Sequence, residues 1–263
     1  MNICLFTKEE ISKPLPYKDE RAQHLIKILH KKEGDSFSAG IIEGKAGTAL
    51  ITKIETFEAT TRDGKKTYTD GKIYFSFTPE TDGKLLHPLK LIVGFPRPIQ
   101  LKRLLRDVAG LGVEEVHLTA TELTEKSYLN SDLAQESECY KMLLEGTEQA
   151  ASTHVPKIFI HDDLSKAINS VCKINYIEEN KRLLLDNIRP QNNLYDYLQN
   201  LSLSNSTPVV AAIGSERGWT ENERKLFLEN NFTLLSMGSR VLRTETACTV
   251  ASSLILARMG VLD

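Results

Sequence analysis

Arg240 and Arg243 stand three residues apart in the run Met237-Gly238-Ser239-Arg240-Val241-Leu242-Arg243-Thr244-Glu245-Thr246-Ala247, with Glu245 just behind them. Two guanidiniums beside a glycine turn can neutralise a developing negative charge, and a nearby carboxylate can orient one of them or accept a proton. Upstream lies a second glycine-bearing turn, Gly214-Ser215-Glu216-Arg217-Gly218-Trp219, with a further carboxylate at Glu216. Glycine turns leave backbone amides bare and let a ligand approach closely. Each turn precedes a helical pattern, so the two read as one paired site.

The elements that must position these turns are legible around them. Pro208–Ile213 is an unbroken apolar strand that Gly214 ends, and Thr220 with Glu223 forms a T-x-x-E capping box that starts a helix near Glu221. The last helix is expected to begin after Arg243, capped by Thr244 or Thr246. A cation at a helix N-terminus opposes the dipole, so Arg243 calls for an anionic ligand or for Glu245 as partner. As an ordinary surface pair, Arg243 with Glu245 would contribute little. Other loop chemistries are excluded: Ser215 follows Gly214 directly, which breaks the hydrolase pattern Gly-x-Ser-x-Gly, and neither a P-loop nor a dinucleotide fingerprint occurs.

The pattern along the chain predicts two domains, 1–80 and 85–263. The first is rich in short alternating runs broken at Gly34-Asp35, Glu43-Gly44, Asp63-Gly64 and Asp70-Gly71, which reads as a small β-barrel. One helical stripe, Leu25, Ile28 and Leu29, interrupts it between Asp19 and Lys32. Pro79–Lys84 is the expected linker. Beyond it, strand-like runs at Leu91–Phe95, Glu115–Leu118, Lys157–Ile160, Arg182–Asp186, Pro208–Ile213 and Thr233–Leu235 alternate with helical stripes such as Leu101/Leu104/Leu105/Val108. That alternation predicts an α/β domain with a mostly parallel sheet, whose ligands gather in loops at the carboxyl ends of strands.

At 263 residues, 41% apolar and 26% charged, the composition is that of a globular protein with room for real cores. The four cysteines and six histidines show no metal-ligand spacing, so no metal is expected. No apolar stretch is long enough to span a bilayer and no leader pattern opens the chain, so a cytoplasmic location and no membrane partner are expected. The net charge of −2 advertises no polyanion, but six basic residues and no acidic one fall between Lys84 and Arg106. Lys102, Arg103 and Arg106 are the helical part of that strip, which is either a solvated face or a nucleic-acid contact.

The run Met237–Ala247 resembles, almost residue for residue, the Leu-Gly-x-Arg-Ile-Leu-Arg-Thr-Glu-Thr-Ala run of the RsmE family, and Gly214–Trp219 is similar to its Gly-Pro-Glu-Gly-Gly-Phe turn. His24-Leu25 with Gly34-Asp35, Leu111-Gly112-Val113, Glu148-Gln149-Ala150 and Val155-Pro156 resemble other family segments. The resemblance implies a PUA-like β-barrel that binds RNA, then a SPOUT α/β domain tied in a trefoil knot, assembled as a homodimer. It implies an S-adenosylmethionine-dependent enzyme that methylates N3 of a uridine in 16S ribosomal RNA of the small subunit. The cofactor is then expected against Leu185, Gly214, Ser215, Glu216, Met237, Gly238, Ser239, Val241 and Leu242. Arg243, with Arg240 second, is expected to stabilise charge on the uracil oxygens, Glu216 or Glu245 to take the proton, and Lys102, Arg103 and Arg106 to meet RNA. The chain departs from the pattern at Ser215 and Arg217, which replace Pro and Gly, at His30, at Gly110 and at Ala151-Ser152-Thr153. If the lost glycine needed positive φ, Arg217 would strain the turn, which favours the alternative of a non-catalytic RNA-binding or ribosome-assembly protein retaining the fold. A methyltransferase with another RNA target is the third reading.

Overall fold

The computed structural model describes residues 2–61, 65–174, 177–188 and 190–262. The chain divides into two compact units, Met1–Leu85 with Thr147–His154, and Leu86–Gly146 with Val155–Asp263.

The first unit contains β1 (Cys4–Phe6), β2 (Leu15–Pro16), α1 (Glu20–Gln23), β3 (Ser36–Ile41), β4 (Ala46–Thr60) and β5 (Thr67–Thr81). Among the described residues these strands form a five-stranded sheet in the order β1-β3-β4-β5-β2, a curled half-barrel around Phe6, Leu25, Phe37, Ile51 and Ile73. A register shift between Ile51 and Lys53 bends the long β4–β5 pair, as a bulge does. The short segment Thr147–His154 is pinned here: Thr153 Oγ1 donates to the Gly44 carbonyl at 2.6 Å and Ser152 Oγ to that of Lys84 at 3.0 Å.

Several local expectations are corrected in this unit. The helical stripe fails because the chain widens into a π turn at His24–Ile28, with Leu29 N–H donating to the His24 carbonyl. That wider turn rotates the face, so Leu25 is buried while Ile28 and Leu29 are exposed. Glu43-Gly44 does turn between β3 and β4, but Asp70-Gly71 lies inside β5. A Cβ on Gly71 would sit 1.9 Å from the Glu55 carbonyl oxygen, so the glycine serves close strand approach there. β5 also runs on through Pro79 to Thr81, which shortens the expected linker. The Asp63-Gly64 turn lies outside the described residues.

The second unit contains β6 (His87–Gly94), α2 (Pro98–Gly110), β7 (Val113–Thr119), α3 (Lys126–Leu129), α4 (Glu136–Gln149, its last three residues counted with the first unit), β8 (Lys157–His161), α5 (Leu164–Ile174), β9 (Arg182–Leu185) and β10 (Asn192–Asn193). It continues with α6 (Leu194–Gln199), β11 (Val209–Ile213), α7 (Glu221–Glu229), β12 (Thr233–Ser236) and α8 (Thr244–Arg258). Its strands pair in parallel in the order β10-β12-β9-β11-β6-β7-β8 among the described residues. Such sheets are covered on both faces, which is why β11 reads as continuous apolar sequence. Leu101, Leu104, Leu105 and Val108 of α2 are wholly buried, and α2 packs against α8. On α5 and α7, Ile168, Val171 and Phe227 join Trp219 in a second core cluster. Each large side chain so buried stabilises the unit by about 1.5–3 kcal/mol.

The strand order positions the site. β6, β7 and β8 are laid outward in sequence, after which the chain returns to β9 and drops β11 into the gap between β9 and β6. The loops leaving the carboxyl ends of β12, β9 and β11 therefore emerge side by side, at the reversal of strand order where α/β sheets collect ligands.

Candidate active site

The first glycine turn is shaped by backbone packing. Gly218 N–H donates to the Ser215 carbonyl at 2.9 Å, and the positive φ of the turn, 70°, falls on Gly218. Arg217 is not among the residues with positive φ, so the strain expected from its bulk does not arise. A Cβ on Gly94 would lie 2.5 Å from Ser215 N, and one on Gly214 would lie 2.9 Å from Gly218 Cα. Glycine at both positions lets the end of β6 and the turn touch backbone to backbone. The capping box is present in full: Thr220 Oγ1 accepts from Glu223 N–H, and the Glu223 carboxylate accepts from Thr220 N–H at 2.8 Å.

The second turn leaves β12 through Gly238, at φ 102°. Arg243 is the N-cap of α8, with no side-chain capping bond, and Thr244 is the first helical residue, a correction to the expected threonine cap. Thr244 Oγ1 instead donates to the Gly214 carbonyl at 3.3 Å, tying the two turns together. Between them and the end of β9 lies a cleft of about 100 Å³.

Of the residues singled out by sequence, Leu185, Gly214, Ser215, Glu216, Met237, Arg240, Val241 and Leu242 line this cleft. Gly238, Ser239, Arg243 and Glu245 do not. Arg243 stands exposed at the mouth of α8. Glu245 is 7% exposed and one of its carboxylate oxygens has no partner, so it forms no surface pair with Arg243. Glu216 accepts from Arg97 N–H at 2.9 Å, which holds its carboxylate at the N-terminus of α2. The sequence reading did not assign Asp186, Asn187, Ile213, Gly218, Trp219, Thr244 and Ala247 to the site, and they complete the lining. Asp186 ends a strand-like run and could have been found from that alone. The others depend on how the loops meet.

The cleft suits a ligand with one apolar and one polar end. Met237, Val241, Leu242 and Ala247 offer apolar surface, while bare turn backbone and Arg240 offer donors. The Oγ of Ser215 and the Nε1 of Trp219 are buried without a partner at its edge. Burial and the charge of Glu245 push the Cys248 thiol far up, so it carries no nucleophilic thiolate. No group of three or more His, Cys, Asp or Glu able to hold a metal occurs among the described residues.

On α2, Lys102, Arg103 and Arg106 are exposed on the outer face, Arg106 being paired with Glu145. Lys90, part of the same basic stretch, is buried at 3% exposure and bound to Glu115 at 2.7 Å, so it belongs to the core and not to the strip. β6 is buried continuously from Leu89 to Gly94, and there only a partner on β7 makes the charge of Lys90 tolerable.

The family model for the RNA methyltransferase domain matches residues 84–256. A ribosomal RNA small subunit methyltransferase E from Treponema pallidum is 38% identical over 98% of this chain and 91% of its own. The chain belongs to the ribosomal RNA small subunit methyltransferase E family. A second member, from Borreliella burgdorferi, is 35% identical over 98% of both chains. Among solved structures, the ribosomal RNA small subunit methyltransferase E of Neisseria gonorrhoeae bound to S-adenosyl methionine matches with a TM-score of 0.69 at 20% identity. It covers 98% of this chain and 97% of that one. The mixed α/β fold, half-barrel and parallel sheet together, is the fold of the family.

Proposed function

We propose that the protein transfers a methyl group from S-adenosylmethionine to N3 of a uridine in 16S ribosomal RNA, acting in the cytoplasm on the small ribosomal subunit. The observation that carries the reading is the joining of the two glycine turns by Thr244 around the cleft at the ends of β9, β11 and β12. These residues fit the cofactor: the turn backbone and the unpartnered Ser215 Oγ would hold its polar groups, and Leu185, Met237 and Leu242 would offer its apolar parts a surface. When bound, S-adenosylmethionine supplies an electrophilic methyl group.

The remaining chemistry belongs to the chain. Uracil N3 carries a proton at neutral pH, and that proton must leave as N3 bonds to the methyl carbon. Arg243, with Arg240, donates to the uracil oxygens and favours the ionised ring. Glu216 is the better placed of the two carboxylates to take the proton, since it lines the cleft and Glu245 does not. Residues 1–80 serve as the PUA-like RNA-binding domain and 85–263 as the knotted methyltransferase domain. Exposed Val241 and Ile99 are apolar surface for a second copy to cover in a homodimer. Lys102, Arg103 and Arg106 contact RNA phosphates.

The test is methyl transfer from labelled S-adenosylmethionine to small subunits lacking N3-methyluridine, with nucleoside mass spectrometry of the product. N3-methyluridine is the expected product, and a different methylated nucleoside would overturn the assignment.

A further inference from the structure

A second cavity, of about 180 Å³, opens beside the cofactor cleft and is lined by Phe95, Arg97, Glu125, Tyr128 and Arg217. Ser215 and Glu216 line both cavities, so one turn of chain forms the wall between them. Three separate segments build the second cavity: the loop leaving β6, the stretch from the end of β7 into α3, and the first glycine turn. They bring two guanidiniums and a phenol together. Arg97 Nε donates to the Tyr128 hydroxyl at 3.1 Å, and Arg217 pairs with Glu125 at 3.0 Å.

We propose that this cavity is a nucleotide subsite of the RNA substrate, in which Arg217 and Arg97 hold a phosphate and the Tyr128 ring stacks on a base. The inference rests on the proposed methyl transfer to RNA. Chemistry favours a nucleotide, because guanidinium forks bind phosphate in bidentate fashion and a phenol ring stacks on any base. The existing partner of Arg217 is no obstacle. Its pair with Glu125 is exposed on both sides, at 59% and 43%, and pairs of that kind contribute only about 0–1 kcal/mol. Arg217 directly follows Ser215 and Glu216, the two residues that both cavities share, so its cation would grip the strand next to the methyl donor. Glu216 contributes indirectly, fixing the Arg97 backbone through its 2.9 Å bond.

The test uses the full chain with Arg217→Ala, Tyr128→Ala and Tyr128→Phe. KM for small subunits lacking N3-methyluridine, kcat, and S-adenosylmethionine affinity are each measured. Arg217→Ala and Tyr128→Ala are expected to raise the subunit KM about tenfold, the equivalent of one charge-assisted or stacking contact. Cofactor affinity should stay within about twofold, and Tyr128→Phe, which keeps the ring, should behave as wild type. An unchanged subunit KM in both alanine variants overturns the subsite. So does a parallel loss of cofactor affinity, which would make these residues part of the cofactor wall. If the wild-type chain transfers no methyl group, the functional reading fails by itself. The subsite is then read by polarisation of a labelled uridine-containing oligoribonucleotide: weaker binding by Arg217→Ala supports it, and equal binding overturns it.

Discussion

Asp186 Oδ2 lies 2.7 Å from Arg224 Nε, with the two side chains only 7% and 9% exposed. The pair joins the loop after β9 to α7, so it sets the third wall of the cofactor cleft from behind. Removing Asp186 leaves the buried Arg224 guanidinium with only the exposed Glu221 carboxylate at 3.2 Å, so the cost stays below the roughly 3–5 kcal/mol of a fully unpaired buried charge. Asp186→Ala is expected to lower the denaturant midpoint sharply and to weaken S-adenosylmethionine binding. A cofactor affinity that survives intact in the folded fraction would separate this loop from the site.

Arg243→Lys keeps a positive charge but loses the planar fork that can meet a uracil oxygen. The variant is expected to bind cofactor near normally while kcat falls by about 10²-fold, the scale of a lost oxyanion donor. Single-turnover methyl transfer at saturating cofactor is the measurement. Normal turnover would remove Arg243 from the mechanism.

Gly94→Ala places a methyl group 2.5 Å from Ser215 N and 3.0 Å from Thr121 Cγ2. Backbone has to move, at a cost of about 1–3 kcal/mol. The first glycine turn is then displaced, so thermal stability and cofactor affinity should fall together, as read by melting with and without S-adenosylmethionine. Stabilisation by the cofactor equal to that of wild type would show that the turn does not depend on this contact.

Glu115 makes stability pH-dependent in acid. Burial pushes its carboxyl up, but the hydrogen bonds and charges of His117 and Lys90 outweigh that and hold it at about 2, against 4.5 ordinarily. A carboxylate lower in the folded state than in the unfolded one stabilises fully above pH 4.5 and loses that contribution as pH falls towards 2. The whole effect is no more than roughly 3 kcal/mol. Glu115→Gln should therefore be less stable than wild type near neutrality, with the difference shrinking across that window. A constant difference would mean that Glu115 acts by packing alone.

The α2 cations should reveal themselves through salt. Lys102→Gln with Arg103→Gln is expected to reduce the slope of log affinity against log salt by roughly 1.4–1.8 for RNA. Arg106→Gln should add less, because Glu145 already neutralises it. Slopes that coincide with wild type would return this helix face to solvent.

The sequence by itself determined what depends on near neighbours. The stripe Leu101, Leu104, Leu105 and Val108 fixed a buried helix face, Thr220 and Glu223 fixed where α7 starts, and Gly214 and Gly218 marked a turn. Spacing and turn chemistry act over a few residues, so they can be read along a line. The run Met237–Ala247 likewise carries the family's pattern, and with it the class of chemistry. Tertiary structure alone decided what depends on distant segments meeting. It buried Lys90 against Glu115 on the next strand, gave Asp186 its partner on α7, and turned Thr244 from the expected cap into the clasp of the two glycine turns. It also moved Thr147–His154 to the first unit and opened the π turn that exposes Ile28. Nothing local sets these outcomes, because the order β12-β9-β11-β6 is not the order of the chain. Which loops share an edge follows from where β11 inserts, and that is a property of the whole packed sheet.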